Sequence, residues 1–166
     1  RTLDESVKGS KNYSKVDLSL VFPCSSLEGI EEVTEGYVPY IKSVSSTRYY
    51  RLKDDWFVRW DKDTIKYYNN NKKSRFQNSS FYFKKGVAIP MVKSSSIRAV
   101  LLENRVFDQS IVGIFPKDMS RLYYILAIMN SDVIYNLIHA INPTANNSAN
   151  YVKQIPYLEP TQEEID

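Results

Sequence analysis

The chemistry available to this chain is concentrated in five arginines and a group of amides. Arg48, Arg51, Arg59, Arg75 and Arg98 each carry a planar guanidinium that can fork onto the two acceptors of a guanine edge. Gln77, Asn78 and the run Asn69–Asn71 offer the paired donor and acceptor that fit adenine in the same way. Among them stand Lys42, Lys62, Lys66, Lys72, Lys73, Lys84, Lys85 and Lys93, whose point charges on long stems suit phosphate and tolerate loose geometry. Phosphate contacts position a protein and base-edge contacts specify a sequence, so the two sets imply two different jobs.

The charge pattern agrees with that chemistry. The net charge of +3 hides a middle segment, Lys42 to Arg98, with fourteen basic and four acidic residues. Arg1 to Ile41 carries four basic and seven acidic residues, and Ala99 to Asp166 carries four and eight. A basic third between acidic flanks is what a polyanion-binding surface looks like in sequence. The plainer reading of the same charges is a solvated surface folded against those flanks.

Catalytic equipment is nearly absent. His139 is the only histidine and Cys24 the only cysteine, too few for a zinc site or a disulfide, and a reducing, cytoplasmic setting is expected. There is no Gly-x-Ser-x-Gly elbow and no Glu-x-Lys or Asp-x-Lys triplet of the metal-dependent nuclease type. The five glycines (9, 29, 36, 86, 113) are too scattered for a phosphate-cradling loop. Asn142-Pro143-Thr144-Ala145 lacks the second proline and the aromatic of the base-flipping motif it approximates. No signal peptide is visible, and a chain that starts at Arg1 without Met is expected to be a piece of something longer.

The positioning elements follow from periodicity and punctuation. Residues 1–15 read as a linker or extension, 16–158 as one domain and 159–166 as an acidic tail. Val16 to Phe22 alternates as a half-buried strand should. A helix near 27–34 is expected, capped by Ser25 or Ser26 and stopped by Gly36. Strands are expected at Tyr37 to Ile41 and Trp56 to Val58, then a helix from Asp61 to Tyr68 with Asp61 as its cap, then an exposed loop over 69–74. Further strands are expected at Phe81 to Phe83, Gly86 to Pro90, Ile97 to Leu102 and Ile111 to Phe115, with Lys84-Lys85-Gly86 as a hairpin turn. Leu122, Ile125, Leu126 and Met129 recur at helical spacing. Val133, Leu137 and Ile138 resume after Ser131, which should cap a second helix. This apolar stretch is broken by polar residues and reads as a core helix pair rather than a membrane span. The fold class expected is α+β, with an antiparallel β-rich core and a C-terminal helical pair.

Several runs, taken in order, are more distinctive than any one motif. They are Arg75-Phe76-Gln77-Asn78 before Phe81-Tyr82-Phe83-Lys84-Lys85-Gly86, Ile97 to Leu102, Phe107 to Pro116, Met129-Asn130-Ser131, Asn142-Pro143-Thr144, and Asn150 to Pro156. Over roughly residues 50–157 the series resembles the C-terminal target-recognition domain of adenine-specific (N6) DNA methyltransferases of bacterial restriction–modification systems. That resemblance implies sequence-specific recognition of double-stranded DNA. It also implies, as partner, an N-terminal methyltransferase domain of the same protein, which would hold S-adenosylmethionine and flip the adenine out. No cofactor is expected in the present chain, and whether the parent also cuts DNA stays open.

On these grounds the DNA-binding set is Arg48, Arg51, Arg59, Lys72, Lys73, Arg75, Gln77, Asn78, Lys84, Lys85, Lys93 and Arg98, with segments 42–53 and 69–78 entering a groove. Arg98 has a second reading as an ion-pair partner for Glu103 or Asp108. Trp56, Phe57 and Trp60 read as core, and Tyr82 as the exposed member of its aromatic triplet. Residues 142–150 read either as a DNA contact or as a loop whose amides satisfy buried backbone. The rival functions are a protein-interaction module and a single-stranded nucleic-acid binder, for which thirteen tyrosines offer stacking platforms.

Overall fold

The computed structural model describes residues 2–4, 12–42, 48–50, 53–71, 74, 76, 78–91, 98–142, 144, 146 and 148–164, with backbone alone at 2–4 and 12–14. In chain order its elements are β1 (Thr2–Asp4), β2 (Asn12–Ser14), β3 (Tyr37–Ile41), β4 (Phe57–Arg59), α1 (Lys62–Asn70), β5 (Gly86–Pro90), β6 (Val100–Leu102), β7 (Val106–Phe107), β8 (Ile111–Ile114), α2 (Leu122–Met129), α3 (Asp132–Ile141) and α4 (Ala149–Val152). The fold is α+β, with mostly antiparallel strands and its helical pair near the C-terminus. The chain forms two compact units. The first is Arg1–Lys42, Lys53–Lys84 and Asn104–Asp108, and the second is Ser43–Leu52, Lys85–Glu103 and Gln109–Asp166.

In the first unit β3 is the central strand, antiparallel to β4 on one side and parallel to β7 on the other. β1 and β2 pair antiparallel. Its interior is aromatic. Trp60, 1% exposed, meets Phe83 edge-on at 5.5 Å, Phe76 at 5.7 Å and Tyr82 at 6.1 Å, and Tyr82 meets Phe107 edge-on at 5.2 Å. The quadrupoles of such rings favour these tilted and edge-on arrangements.

In the second unit β5 lies between β6 and β8, antiparallel to both. The core here is aliphatic. Val87, Ile89, Leu101 and Val112 of the sheet pack with Leu122, Ile125, Leu126 and Met129 of α2 and Ile134 and Ile138 of α3. The four α2 residues are those whose spacing predicted a buried stripe. Ser131 caps α3 as expected, its Oγ accepting from the Ile134 N–H at 3.3 Å. The helices are bent by 74° at this break, and among the described residues no single helix is long and apolar enough to cross a membrane.

Several expected elements are replaced by tighter local structure. The strand at 16–22 is a 3-10 turn, Leu18–Leu20, because the Asp17 carboxylate accepts from both the backbone N–H and the hydroxyl of Ser19. Only Val21 bridges to a strand, at Tyr37. The helix at 27–34 is a set of turns in which Gly29 takes φ +103° and Ile30 N–H donates to the Trp60 carbonyl. A Cβ on Gly29 would lie 2.8 Å from the Lys62 nitrogen, so the close approach requires glycine. Asn69 and Asn70 close α1 instead of opening a loop.

The triplet Phe81–Phe83 is not a strand either. Ser79–Phe81 forms a 3-10 turn and Phe83 takes φ +63°. Tyr82 and Phe83 are therefore buried and Phe81 is exposed, the reverse of the alternation a strand would impose on Tyr82. No hairpin joins 81–83 to β5; Gly86 begins β5 itself, in register with Leu102. In α3 the buried face runs through Ile134 and Ile138, and Val133 is 73% exposed.

Candidate nucleic-acid interface

In the first unit Asp61 fixes the start of α1. This carboxylate is 1% exposed; one oxygen accepts the Thr64 N–H at 2.9 Å and the other accepts Arg59 Nε at 2.6 Å. Burial alone would push its carboxyl up, but the bonds from Arg59 and Thr64 outweigh that and hold it below the usual carboxylate range. The Arg59 guanidinium, raised in turn by the Asp61 bond, also donates to the Thr34 carbonyl at 2.9 Å. Arg59 thus orients the start of α1, a role that spacing alone did not suggest for it.

The helix so fixed buries Ile65 and leaves Lys62, Asp63, Lys66, Tyr67, Asn69 and Asn70 exposed. Lys62 is engaged with Glu31 at 2.8 Å. The C-terminal part of the exposed face is therefore Lys66, Tyr67, Asn69 and Asn70. Its geometry is set by two amides, Asn70 Nδ2 donating to the Lys66 carbonyl at 2.9 Å and Asn71 Nδ2 to the Tyr67 hydroxyl at 2.7 Å. Tyr67 is 55% exposed and lies against Tyr68, which tilts against Phe76 of the aromatic interior. Farther along, Asn78 is exposed in a left-handed conformation, and the Lys84 ammonium sits 5.5 Å above the half-exposed Phe81 ring.

The second unit holds Arg48, Lys85 and Arg98. A parallel bridge joins Tyr49 to Val100, so Arg48 runs beside Ala99 and Arg98 stands one residue upstream of it. Arg48 is exposed and Arg98 half-buried. Lys85 donates to the Tyr123 hydroxyl at 3.3 Å and pairs with Glu103 at 3.6 Å, contacts that raise its ammonium above the ordinary lysine value, Tyr123 most of all.

Of the twelve residues expected at the interface, Arg59, Asn78 and Lys84 fall in the first unit and Arg48, Lys85 and Arg98 in the second. Arg51, Lys72, Lys73, Arg75, Gln77 and Lys93 lie outside the described residues. The basic middle segment is shared out: the first unit has fourteen basic and twelve acidic residues in its sequence, the second eight and seven. Lys62–Glu31 and Lys85–Glu103 pair middle-segment lysines with the acidic flanks, as the plainer reading of the charge pattern has it. Sequence reasoning missed the aromatics at these surfaces, Tyr67, Tyr49 and Tyr50. The adjacency of tyrosine to Lys66 and Arg48 was the available signal.

Within 142–150, Asn142 satisfies backbone groups as the loop reading has it, while Ala149 and Asn150 begin α4 instead. Asn142 is fully buried, its side-chain Oδ1 accepting from the Thr144 N–H and hydroxyl while its Nδ2 donates to the Asn146 carbonyl. Among the described residues no group of three or more His, Cys, Asp or Glu is placed to hold a metal ion. The glycines among the described residues sit close against the protein's own atoms. Cβ atoms on Gly29, Gly36, Gly86 and Gly113 would meet Lys62, Ile30, Ile114 and Phe115 within 3 Å. No family model matches the chain, and no curated protein matches it. The resemblance to methyltransferase recognition domains is therefore carried by its residue runs alone.

Proposed function

We propose that this chain recognises double-stranded DNA sequence-specifically, as the non-catalytic recognition domain of a bacterial adenine-N6 methyltransferase. The observation that carries this reading is the outer face of α1. Its Lys66, Tyr67, Asn69 and Asn70 lie exposed at the start of a 39-residue run, Thr64 to Leu102, with eight basic residues and no acidic one. A rigid helix presenting a cation, an aromatic and two amides has the donor and acceptor set that a major groove reads, and the following Lys72, Lys73 and Arg75 add phosphate charge. Methyl transfer and S-adenosylmethionine binding belong, on this reading, to a separate catalytic domain that closes the clamp on the duplex. The protein works in the cytoplasm, where that DNA is.

The test is duplex affinity measured by fluorescence anisotropy across a salt series. Reversing Lys66, Lys72, Lys73 and Arg75 to Glu should flatten the dependence of log K on log salt, by about 0.9 for each phosphate that is no longer neutralised. An unchanged affinity and slope at low salt would sink the proposal.

A further inference from the structure

Among the described residues of the second unit, Tyr49 is the non-glycine residue with a positive φ. It takes φ +68°, and the Tyr50 N–H donates across it to the Arg48 carbonyl at 2.9 Å. That pattern is a γ-turn with a positive central φ, a rare and costly conformation for a bulky residue. The surroundings hold it firmly. Tyr49 N–H donates to the Ala99 carbonyl at 2.9 Å, and its carbonyl accepts the Leu101 N–H at 2.7 Å. Ala99 is itself fully buried and gripped by Asn130, which accepts its N–H at 3.0 Å and donates to its carbonyl at 2.9 Å. A turn welded in this way to a packed core presents Tyr49, 43% exposed, and Tyr50, 58% exposed, with Arg48 before them and Arg98 alongside.

We infer that this turn is a stacking ridge, in which the phenol rings of Tyr49 and Tyr50 lie against the faces of unstacked DNA bases while Arg48 holds the adjoining backbone. The inference rests on the duplex-recognition reading and adds a second mode of contact to it. Every base has a π-face, so a tyrosine reads openness of the stack rather than sequence. A guanidinium supplies the charge to stay beside a phosphate. Strain and rigidity fit this use, because a wedge must keep its shape against a stack that resists opening. The charge of the segment favours nucleic acid over a protein partner: from Gly36 to Lys53 the chain has four basic residues and no acidic one.

The experiment compares the full chain with the double variant Tyr49→Gly/Tyr50→Ala on two duplexes of one sequence, fully paired or carrying one central mismatch. Glycine at 49 keeps the positive φ accessible, so the variant loses rings without losing the turn. The wild type should prefer the mismatched duplex by about ten-fold, since a mismatched base costs least to unstack and one stacking contact has about that magnitude. The double variant should bind both duplexes alike with an unchanged salt slope, and Tyr49→Phe/Tyr50→Phe should restore the preference. A wild type that binds both duplexes equally, or a double variant that keeps the preference, overturns the ridge while leaving duplex recognition intact. A wild type that binds neither overturns both.

Discussion

The two units solve the same packing problem with different materials. The first is built from aromatic rings around Trp60 and wired by polar groups: Asp61 with Arg59, Asp54 with Arg105 at 2.8 Å, and the Tyr40 hydroxyl on Asp108. The second is built from aliphatic side chains, and its buried polar groups among the described residues are neutral amides, Asn130 and Asn142. Asp61, its carboxyl held below the ordinary value, ties stability to protonation, and an amide does not. Both tryptophans, Trp56 and Trp60, lie in the first unit, and the predicted helix pair lies in the second. Tryptophan fluorescence therefore reads the first unit, and far-UV helical dichroism reads mainly the second, which holds α2, α3 and α4 where the first holds α1.

The largest effect expected is from Asp61→Ala, which removes the α1 cap and strands Arg59. It should cost about 3 kcal/mol in urea unfolding followed by tryptophan fluorescence. Because the folded carboxyl titrates below its ordinary value, its contribution is complete above about pH 4 and lost as pH falls through the depressed value. The variant should lack that acid limb. An equal loss of fluorescence-detected stability from a surface alanine would erase the distinction between the units.

Asn130→Ala probes the other unit. It leaves the Ala99 N–H and the Leu126 carbonyl without the partners that the amide supplies in a buried setting. A cost of about 2 kcal/mol is expected, read from the helical dichroism and independent of pH between about 4 and 9. A pH-dependent cost would break the contrast.

The smallest effect is at alkaline pH. Burial holds the Tyr37 and Tyr82 hydroxyls up to about 12, with hydrogen bonding to Glu35 and the charge of Asp108 adding to each respectively. A raised folded value means their stabilisation is complete below the ordinary value of 10 and lost as pH rises through about 12. Tryptophan emission should change over that window, and Tyr37→Phe/Tyr82→Phe should move the change to higher pH. A transition that ignores both substitutions would assign it elsewhere.

What was legible in the sequence was what local physics decides. The Asp61 and Ser131 caps, the α2 stripe and the strands β3, β5 and β8 follow from spacing and capping chemistry within a few residues. The misread segments were decided by competition or by distant partners. Asp17 diverts an alternating pattern into a turn, and Tyr82 is buried because Trp60, Phe76 and Phe107 surround it, a fact no alternation within residues 81–83 contains. The interface divides in the same way. Residue type marked the arginines and amides, but Arg59 belongs to Asp61, and Lys85 to Glu103 eighteen residues on, through folding alone.

The bridge at Tyr49 bears on the edge of the sheet as well. β6 is bonded on one side to β5; on the other, Asn130 already holds both backbone groups of Ala99, and the Leu101 N–H is the group that Tyr49 covers. Tyr49 accepts the Leu101 N–H and shares the Ala99 carbonyl with Asn130, and the turn closed by the Tyr50 N–H follows in the next residue. A turn that is unfavourable locally thereby covers a strand N–H of the kind that an uncovered sheet edge presents to other chains.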